Sequence, residues 1–341
     1  MCSANRKTLE IKFDVSFEKH INLNKDLGNY QDLFDIKNKI EQYTLRQWTR
    51  VRKDSDFSFD RKRYISRAYF KLKEILVNFD IPFYNIQNTF HICEAPGGFI
   101  KATYDFYYKK YNYNNLNSYT VSLKNTSKLK TSDTPVFNPI VAKIVDIVPG
   151  DGDITKFNNF TYYVNYLRNK KISFITADGG LPENGQFNMK ESLHVQLIFS
   201  EIVLALNVLE DKGIFIIKIF DIFTDITVQF IFLLTYLFEE TYLFKPTASR
   251  KTNSEKYLVC KFFNKQRFLE IKTQINFTLY RVLNTNRDVY LTNLLSKEII
   301  PSGFISQIKE FNRNFIQNQI SSISNVLERC WNMYNTGSVR V

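Results

Sequence analysis

A chain of 341 residues, 44% apolar and 23% charged, is not a mainly disordered polymer. It is long enough for one large α/β core with appendages, or for two small domains. Its 46 lysines and arginines against 34 acids leave a net charge of +12, which fits a polyanionic partner such as nucleic acid, or simply a basic solvated surface.

The first twenty residues, MCSANRKTLEIKFDVSFEKH, hold no apolar run of signal-peptide type. Residues 1–60 read as an N-terminal basic extension, with weak helical periodicity around 30–48. Positive charge gathers at Arg50-Val-Arg52-Lys53 and Arg61-Lys62-Arg63. A helix is predicted over 66–76, because Ala68, Leu72, Ile75 and Leu76 share one face. Ser66 suits its N-cap, and Lys71 lies beside the apolar stripe.

From about residue 89, β-rich and helical runs alternate. The β-rich runs are 90–94, 119–123, 142–148, 172–178, 214–220, 242–245 and 257–263, and the helical runs are 99–109, 157–168, 192–209 and 228–238. This alternation predicts an α/β fold, a Rossmann-like doubly wound and mostly parallel seven-stranded sheet. The polar connection 246–255 is too short for a crossover helix, so the last strand is expected to run antiparallel. The longest apolar stretch, 226–238, is too short to span a bilayer and reads as a buried helix. A soluble, intracellular protein with no membrane association is the expectation. Residues 266–341 read as a helical C-terminal extension, flanking a core domain at 61–265.

The cysteines Cys2, Cys93, Cys260 and Cys330 are scattered and form no C-x-x-C, which argues against structural zinc and for a reducing compartment. Glycine is scarce, with 11 in all, so its placement is informative. Three sites stand beside predicted strands: Gly97-Gly98, Gly150 with Gly152, and Gly179-Gly180. In a doubly wound sheet, ligands bind beyond the carboxyl ends of the strands, and all three can lie on that edge. Cys93-Glu-Ala-Pro-Gly-Gly-Phe99 is a cofactor loop or an ordinary tight turn. It is not G-x-G-x-x-G, which weakens a nicotinamide oxidoreductase. In Pro149-Gly-Asp-Gly-Asp-Ile-Thr155, Asp153 either accepts from an exocyclic amine or caps a turn. Ala177-Asp-Gly-Gly180 puts a carboxylate at a strand end, where it needs a partner. Lys218 interrupts the apolar strand Ile214-Phe-Ile-Ile-Lys-Ile-Phe220, so it is either paired or on a solvated edge.

Taken together, these motifs resemble the FtsJ/RrmJ superfamily of S-adenosylmethionine-dependent RNA ribose-2′-O-methyltransferases. The resemblance is carried by Ser66-Arg-Ala-Tyr-Phe-Lys71, Glu94-Ala-Pro-Gly-Gly-Phe99, Ala177-Asp-Gly-Gly180, Ile217-Lys-Ile-Phe-Asp221 and Lys245-Pro-Thr-Ala-Ser-Arg-Lys-Thr-Asn-Ser-Glu255, in the family's order over about 60–265. The 150–155, 220–224 and 245–255 segments are most similar to cap-specific mRNA enzymes, which methylate the first transcribed nucleotide. The resemblance implies a catalytic tetrad of Lys71, Asp178, Lys218 and Glu255. Lys218 would be the general base, its amine kept neutral by burial and by the nearby cation Lys71. S-adenosylmethionine would be held by Glu94, Ala95, Pro96, Gly97, Gly98 and Phe99, with Asp153 at adenine. No acid follows the second strand, and either Ser122 or backbone groups would serve the ribose there. Any side chain at Gly98 is expected to crowd the cofactor and leave the fold intact. Arg50, Arg52 and Asn188 are the implied contacts to the cap, and no metal is implied. The implied partners are the capped mRNA 5′ end and, with it, other capping enzymes or RNA polymerase, in the nucleus or, for a virus or cytoplasmic element, the cytoplasm. An rRNA or tRNA ribose methyltransferase, and a catalytically silent RNA-binding subunit, are the alternatives.

Overall fold

The computed structural model describes residues 10–53, 58, 60, 64–82, 86–111, 116–124, 137–181, 187–285 and 289–335. The Arg61-Lys62-Arg63 cluster and residues 182–186 lie outside the described residues. The central sheet contains β2 (Asn88–Ile92), β3 (Asn117–Val121), β4 (Asp146–Ile147), β5 (Ile172–Ala177), β6 (Leu209–Ile219), β7 (Phe238–Phe244) and β8 (Lys256–Phe263). Their order across the sheet is β4-β3-β2-β5-β6-β8-β7. The strands β2 to β6 pair in parallel, whereas β8 runs antiparallel to both β6 and β7. The expected antiparallel final strand is therefore present, inserted between its two neighbours.

Alternation along the strands sorts the apolar residues to two faces. Phe174, Ile214, Ile216 and Val259 face α3 (Arg67–Asn78) and α4 (Gly98–Tyr111). Ile175, Ala177, Phe215 and Ile217 face α5 (Phe157–Leu167), α6 (Lys190–Val208), α7 (Asp225–Leu237) and α8 (Lys265–Asn284). Helix α6 is long and apolar enough to cross a membrane, but 78% of that window is buried within this core. The predicted helix at 228–238 is α7, and it is buried along nearly its whole length.

The third predicted strand, 142–148, shortens to the two residues of β4. Val141 and Val145 turn instead into a small cluster with Ile100 and Phe137, so packing replaces ladder pairing. Ser66 stands at the N-cap of α3 with an extended backbone, but its side chain makes no capping bond. Its hydroxyl is turned toward Gly98, where an added Cβ would lie 2.4 Å from it.

The two extensions interlock in space. In the N-terminal one, β1 (Phe13–Glu18) precedes α1 (Gln31–Asn38) and α2 (Leu45–Lys53). The C-terminal one follows α8 with β9 (Tyr290–Leu295) and then α9 (Ser302–Tyr334), so it is not purely helical as expected. Strand β9 forms because it pairs with β1 in an antiparallel two-stranded sheet. Leu33, Trp48 and Val51 pack with Ile316, Ile323 and Val326 of α9, and Phe223 from the end of the sheet joins them. The extensions thus cover the carboxyl edge of β6, where the candidate site residues gather.

Candidate active site

The chain departs from β2 to one side for β3 and β4 and returns on the other side for β5. That reversal makes a crevice at the carboxyl ends of β2 and β5, the usual ligand position in such sheets. Glu94 follows β2, Asp178 follows β5, and Lys218 is the penultimate residue of β6. Glu255 directly precedes β8, whose antiparallel course brings it to the same edge. Lys71 arrives from α3, on the face toward which Lys218 points.

Four of these side chains form two ion pairs. Lys71 Nζ lies 2.6 Å from Glu255 Oε1, and Lys218 Nζ lies 3.1 Å from Asp178 Oδ1. Lys218 also donates to the Asp178 carbonyl at 2.7 Å. Tyr257, opposite Lys218 in the β6–β8 ladder, joins the pairs: its hydroxyl donates to Asp178 Oδ1 at 2.8 Å and lies 3.3 Å from Glu255 Oε1. Ser249 donates to Glu255 Oε1 at 2.9 Å. Gly180 stands against the Lys218 amine, and a Cβ there would lie 3.3 Å from Nζ.

The electrostatics correct one expectation. Burial does disfavour the charge on Lys218, but Asp178 and Glu255 outweigh it and hold the ammonium above its ordinary range. The expected depression by Lys71 does not prevail, because each lysine is paired with a carboxylate. Burial likewise pushes Glu255 up, and Lys71 and Lys218 overcome this to hold it well below the usual carboxylate range. For two further acids the Lys218 charge does not outweigh burial. Burial and the Asp178 charge raise Glu94 well above its ordinary value. Burial lifts Glu201, on α6, to about 8, although it accepts the Gly179 N–H at 3.0 Å. Among the described residues, the crevice therefore holds four carboxyl groups against the two lysines Lys71 and Lys218.

The loop 94–99 is anchored rather than open. Ala95 N–H donates to Ser122 Oγ at 3.0 Å, so Ser122 fixes this loop. A Cβ at Gly97 would lie 2.6 Å from Val141, and one at Gly98 would meet Ser66, Ala68 and the Tyr69 backbone nitrogen. Both glycines permit close packing of the loop on its own fold. The expectation that a Gly98 side chain spares the fold is thus overturned. Pro96 joins Ala95 through a cis peptide bond, and Phe99 is fully buried against Tyr257 at a centroid distance of 5.7 Å. Asp153 Oδ1 accepts from Thr155 N at 3.0 Å and Thr155 Oγ1 at 2.5 Å, so that oxygen caps its own turn.

A second cavity opens beside the tetrad, lined by Lys37, Trp48, Arg52, Lys190, Arg250 and the 252–254 segment next to Glu255, among others. It is lined by four cationic side chains and, among the described residues, no carboxylate. Arg50 and Arg52 part company here. Two residues apart on α2, they point about 200° from one another, so Arg52 faces the cavity and Arg50 faces solvent. Asn188 Nδ2 donates to Asn38 Oδ1 at 2.8 Å, which clips its turn to α1.

Lys37 also pairs with buried Asp221 at 3.1 Å. Burial pushes Asp221 up, but Lys37 and Lys256 outweigh it and hold its carboxyl below the ordinary range. Removing one member of a buried pair leaves the other uncompensated. Lys37→Met should therefore destabilise the fold by about 3 kcal/mol, the low end for such losses because Lys256 remains. Urea unfolding at pH 7 reads this directly. The pair's contribution is complete above about pH 4 and fades as pH falls through the lowered pKa of Asp221. The difference between variant and wild type should shrink over that acid range.

Sequence reasoning missed Tyr257, Ser249, Glu201 and the cavity residues Lys37, Trp48 and Arg250. The spacing Glu255-x-Tyr257 at a strand start was a usable signal for Tyr257, since alternate residues share a face. The others come together only through tertiary packing.

A model of the FtsJ-like methyltransferase family matches residues 64–263. The cap-specific mRNA (nucleoside-2′-O-)-methyltransferase 1 of Mus musculus is 33% identical over 244 residues, which cover 68% of this chain and 28% of that protein. The cap-specific mRNA (nucleoside-2′-O-)-methyltransferase 2 of Drosophila melanogaster is 25% identical over 324 residues, covering 87% of this chain and 45% of that protein. The chain thus spans less than half the length of these relatives. Among solved structures, a ribosomal RNA methyltransferase from Plasmodium falciparum aligns with 59% of this chain and 98% of its own, with a TM-score of 0.45 and 23% identity.

Proposed function

The chain belongs to the FtsJ-like methyltransferase family, and on that premise we propose that it transfers a methyl group from S-adenosylmethionine to the ribose 2′-hydroxyl of the first transcribed nucleotide of capped mRNA. The observation that carries the substrate reading is the cationic cavity. It is free of carboxylates among the described residues and shares the 252–254 segment with the loop that presents Glu255. The relatives named as cap-specific mRNA methyltransferases support the same substrate class. Domain 61–265 would carry the chemistry, and the extensions 1–60 and 266–341 would build the cavity. Capping enzymes or RNA polymerase, in nucleus or cytoplasm, are the partners this reading implies.

The residues present fit S-adenosylmethionine by charge. Burial and the Asp178 charge raise Glu94 well above its ordinary value at the carboxyl end of β2, and a cation added to the crevice would favour its ionised form. Glu94, Ala95, Pro96, Gly97, Gly98 and Phe99 would hold the cofactor, with Ser122 securing the loop and Asp153 at its far end. When bound, it supplies an electrophilic methyl carbon on a positively charged sulfur. The chain's own residues then have two tasks. Lys71, Asp178, Glu255 and Tyr257 orient the site through the contacts above. Lys218 accepts the 2′-hydroxyl proton once added positive charge offsets the acids that hold it protonated.

Guanidinium forks suit phosphate oxygens, so Arg52 is the proposed contact to the bridging phosphates. Exposed Arg50 would be a general phosphate contact, and Asn188 would shape the rim. Arg52→Ala should weaken capped RNA about tenfold more than uncapped RNA, the worth of one charge-assisted hydrogen bond. Arg50→Ala should weaken both equally. Binding titrations with matched transcripts test this, and the slope of log K against log salt should become shallower by about 0.7 for each phosphate that the variant no longer neutralises. Equal weakening of both RNAs by Arg52→Ala would remove the cavity from the cap.

A further inference from the structure

Helix α9 presents a polar buried face to the loop that carries Glu255. Asn312, Phe315 and Gln319 lie at i, i+3 and i+7 on that face, and the two amides are each 1% exposed. Gln319 Nε2 donates to the Thr252 carbonyl at 3.0 Å. Asn312 Nδ2 donates to the carbonyls of Leu27 at 2.9 Å and Ile222 at 2.7 Å. One helix face thus ties together the N-terminal extension, the segment after β6 and the 246–255 loop.

Between the two amides, the Phe315 ring covers two ammonium groups, those of buried Lys256 and half-buried Lys245. Lys256 Nζ lies 4.0 Å from its centroid and Lys245 Nζ lies 5.1 Å from it. Both lysines use their protons on the backbone around Glu255. Lys245 donates to the Asn253 carbonyl at 2.7 Å, Asn253 Oδ1 at 2.9 Å and the Glu255 carbonyl at 3.1 Å. Lys256 donates to the Ser254 carbonyl at 3.0 Å and the Phe220 carbonyl at 2.5 Å. Burial pulls Lys245 to about 7 and Lys256 to about 8, so each charge depends on what surrounds it. The electron-rich face of an aromatic ring stabilises such a cation where water is excluded.

We propose that α9 is a positioning element for the active site, in which Phe315 caps Lys245 and Lys256 and thereby fixes the 252–255 segment that aims Glu255 at Lys71. The proposal rests on the methyl-transfer reading but does not depend on which RNA is the substrate. Phe315 is a positioning residue, since it touches no reacting atom. A small displacement of the carboxylate is sufficient to cost much of the rate.

The test compares Phe315→Leu, which keeps apolar bulk without a ring face, with Phe315→Tyr, which keeps the face. Labelled methyl transfer, thermal unfolding and backbone hydrogen exchange are read on the same full-length chains. Phe315→Leu should lower kcat about tenfold or more with the donor KM within twofold, and amides of residues 253–256 should exchange at least tenfold faster. Phe315→Tyr should stay within threefold of wild type in both. If the two variants share wild-type kcat and exchange rates, α9 is only packing. If wild-type protein transfers no methyl group, the functional reading falls, while the exchange comparison still decides the positioning claim.

Discussion

Lys218→Met should abolish methyl transfer, with kcat down by about 10²–10⁴-fold, the usual worth of a positioned general base. Methionine preserves bulk in an apolar strand and removes only the amine. Asp178 keeps its bond from Tyr257 at 2.8 Å, so the crevice should persist and donor affinity by calorimetry should stay within about threefold. Lys218→Arg separates two roles for the amine. In the resting arrangement the paired acids hold Lys218 protonated, so an electrostatic role alone would survive replacement by a permanent cation. A base role would not, because guanidinium does not release its proton. Activity below about a tenth of wild type is expected for Lys218→Arg. Wild-type kcat should rise with pH until the amine is neutral in the loaded site, and this limb should vanish in the arginine variant.

Gly98→Val should damage both fold and rate. An added Cβ would lie 2.4 Å from Ser66 Oγ, 2.9 Å from Ala68 Cβ and 3.0 Å from the Tyr69 nitrogen. The hydroxyl can rotate away, but the helix backbone cannot, so α3 must move. That helix carries Lys71, whose amine lies 2.6 Å from Glu255. Overpacking of this kind costs about 1–3 kcal/mol, and a shift near 1 Å costs about 10²-fold in rate. Urea unfolding and kcat measured together should show both effects. Unchanged stability with a pure decrease in donor affinity would instead make Gly98 a direct contact to the cofactor.

Much of this architecture is legible in the sequence, and the reasons are local. Seven β-rich runs and their intervening helices betray themselves by periodicity and length, and the short 246–255 connection dictates the antiparallel β8. The gathering of Asp178, Lys218 and Glu255 is legible because strand ends determine edges: all three reach one side of the sheet by topology. Lys71 required the family resemblance, since helical spacing alone says nothing about what α3 faces. Other features are not local. The charge state of Lys218 depends on Asp178 and Glu255, which come from other strands, so burial alone misjudges it. The opposite facing of Arg50 and Arg52 depends on how α2 packs against α9, some 270 residues later in the chain. Strand β9 within the C-terminal extension forms only because β1 offers it an edge.

The most direct measurement is methyl transfer from radiolabelled S-adenosylmethionine to a capped transcript, followed by nuclease digestion and mapping of the labelled nucleotide. The label should appear on the ribose of the first transcribed nucleotide, be absent with Lys218→Met, and be much reduced on the same transcript without a cap. Label at internal nucleotides, on a base, or equally on capped and uncapped transcripts would contradict the account.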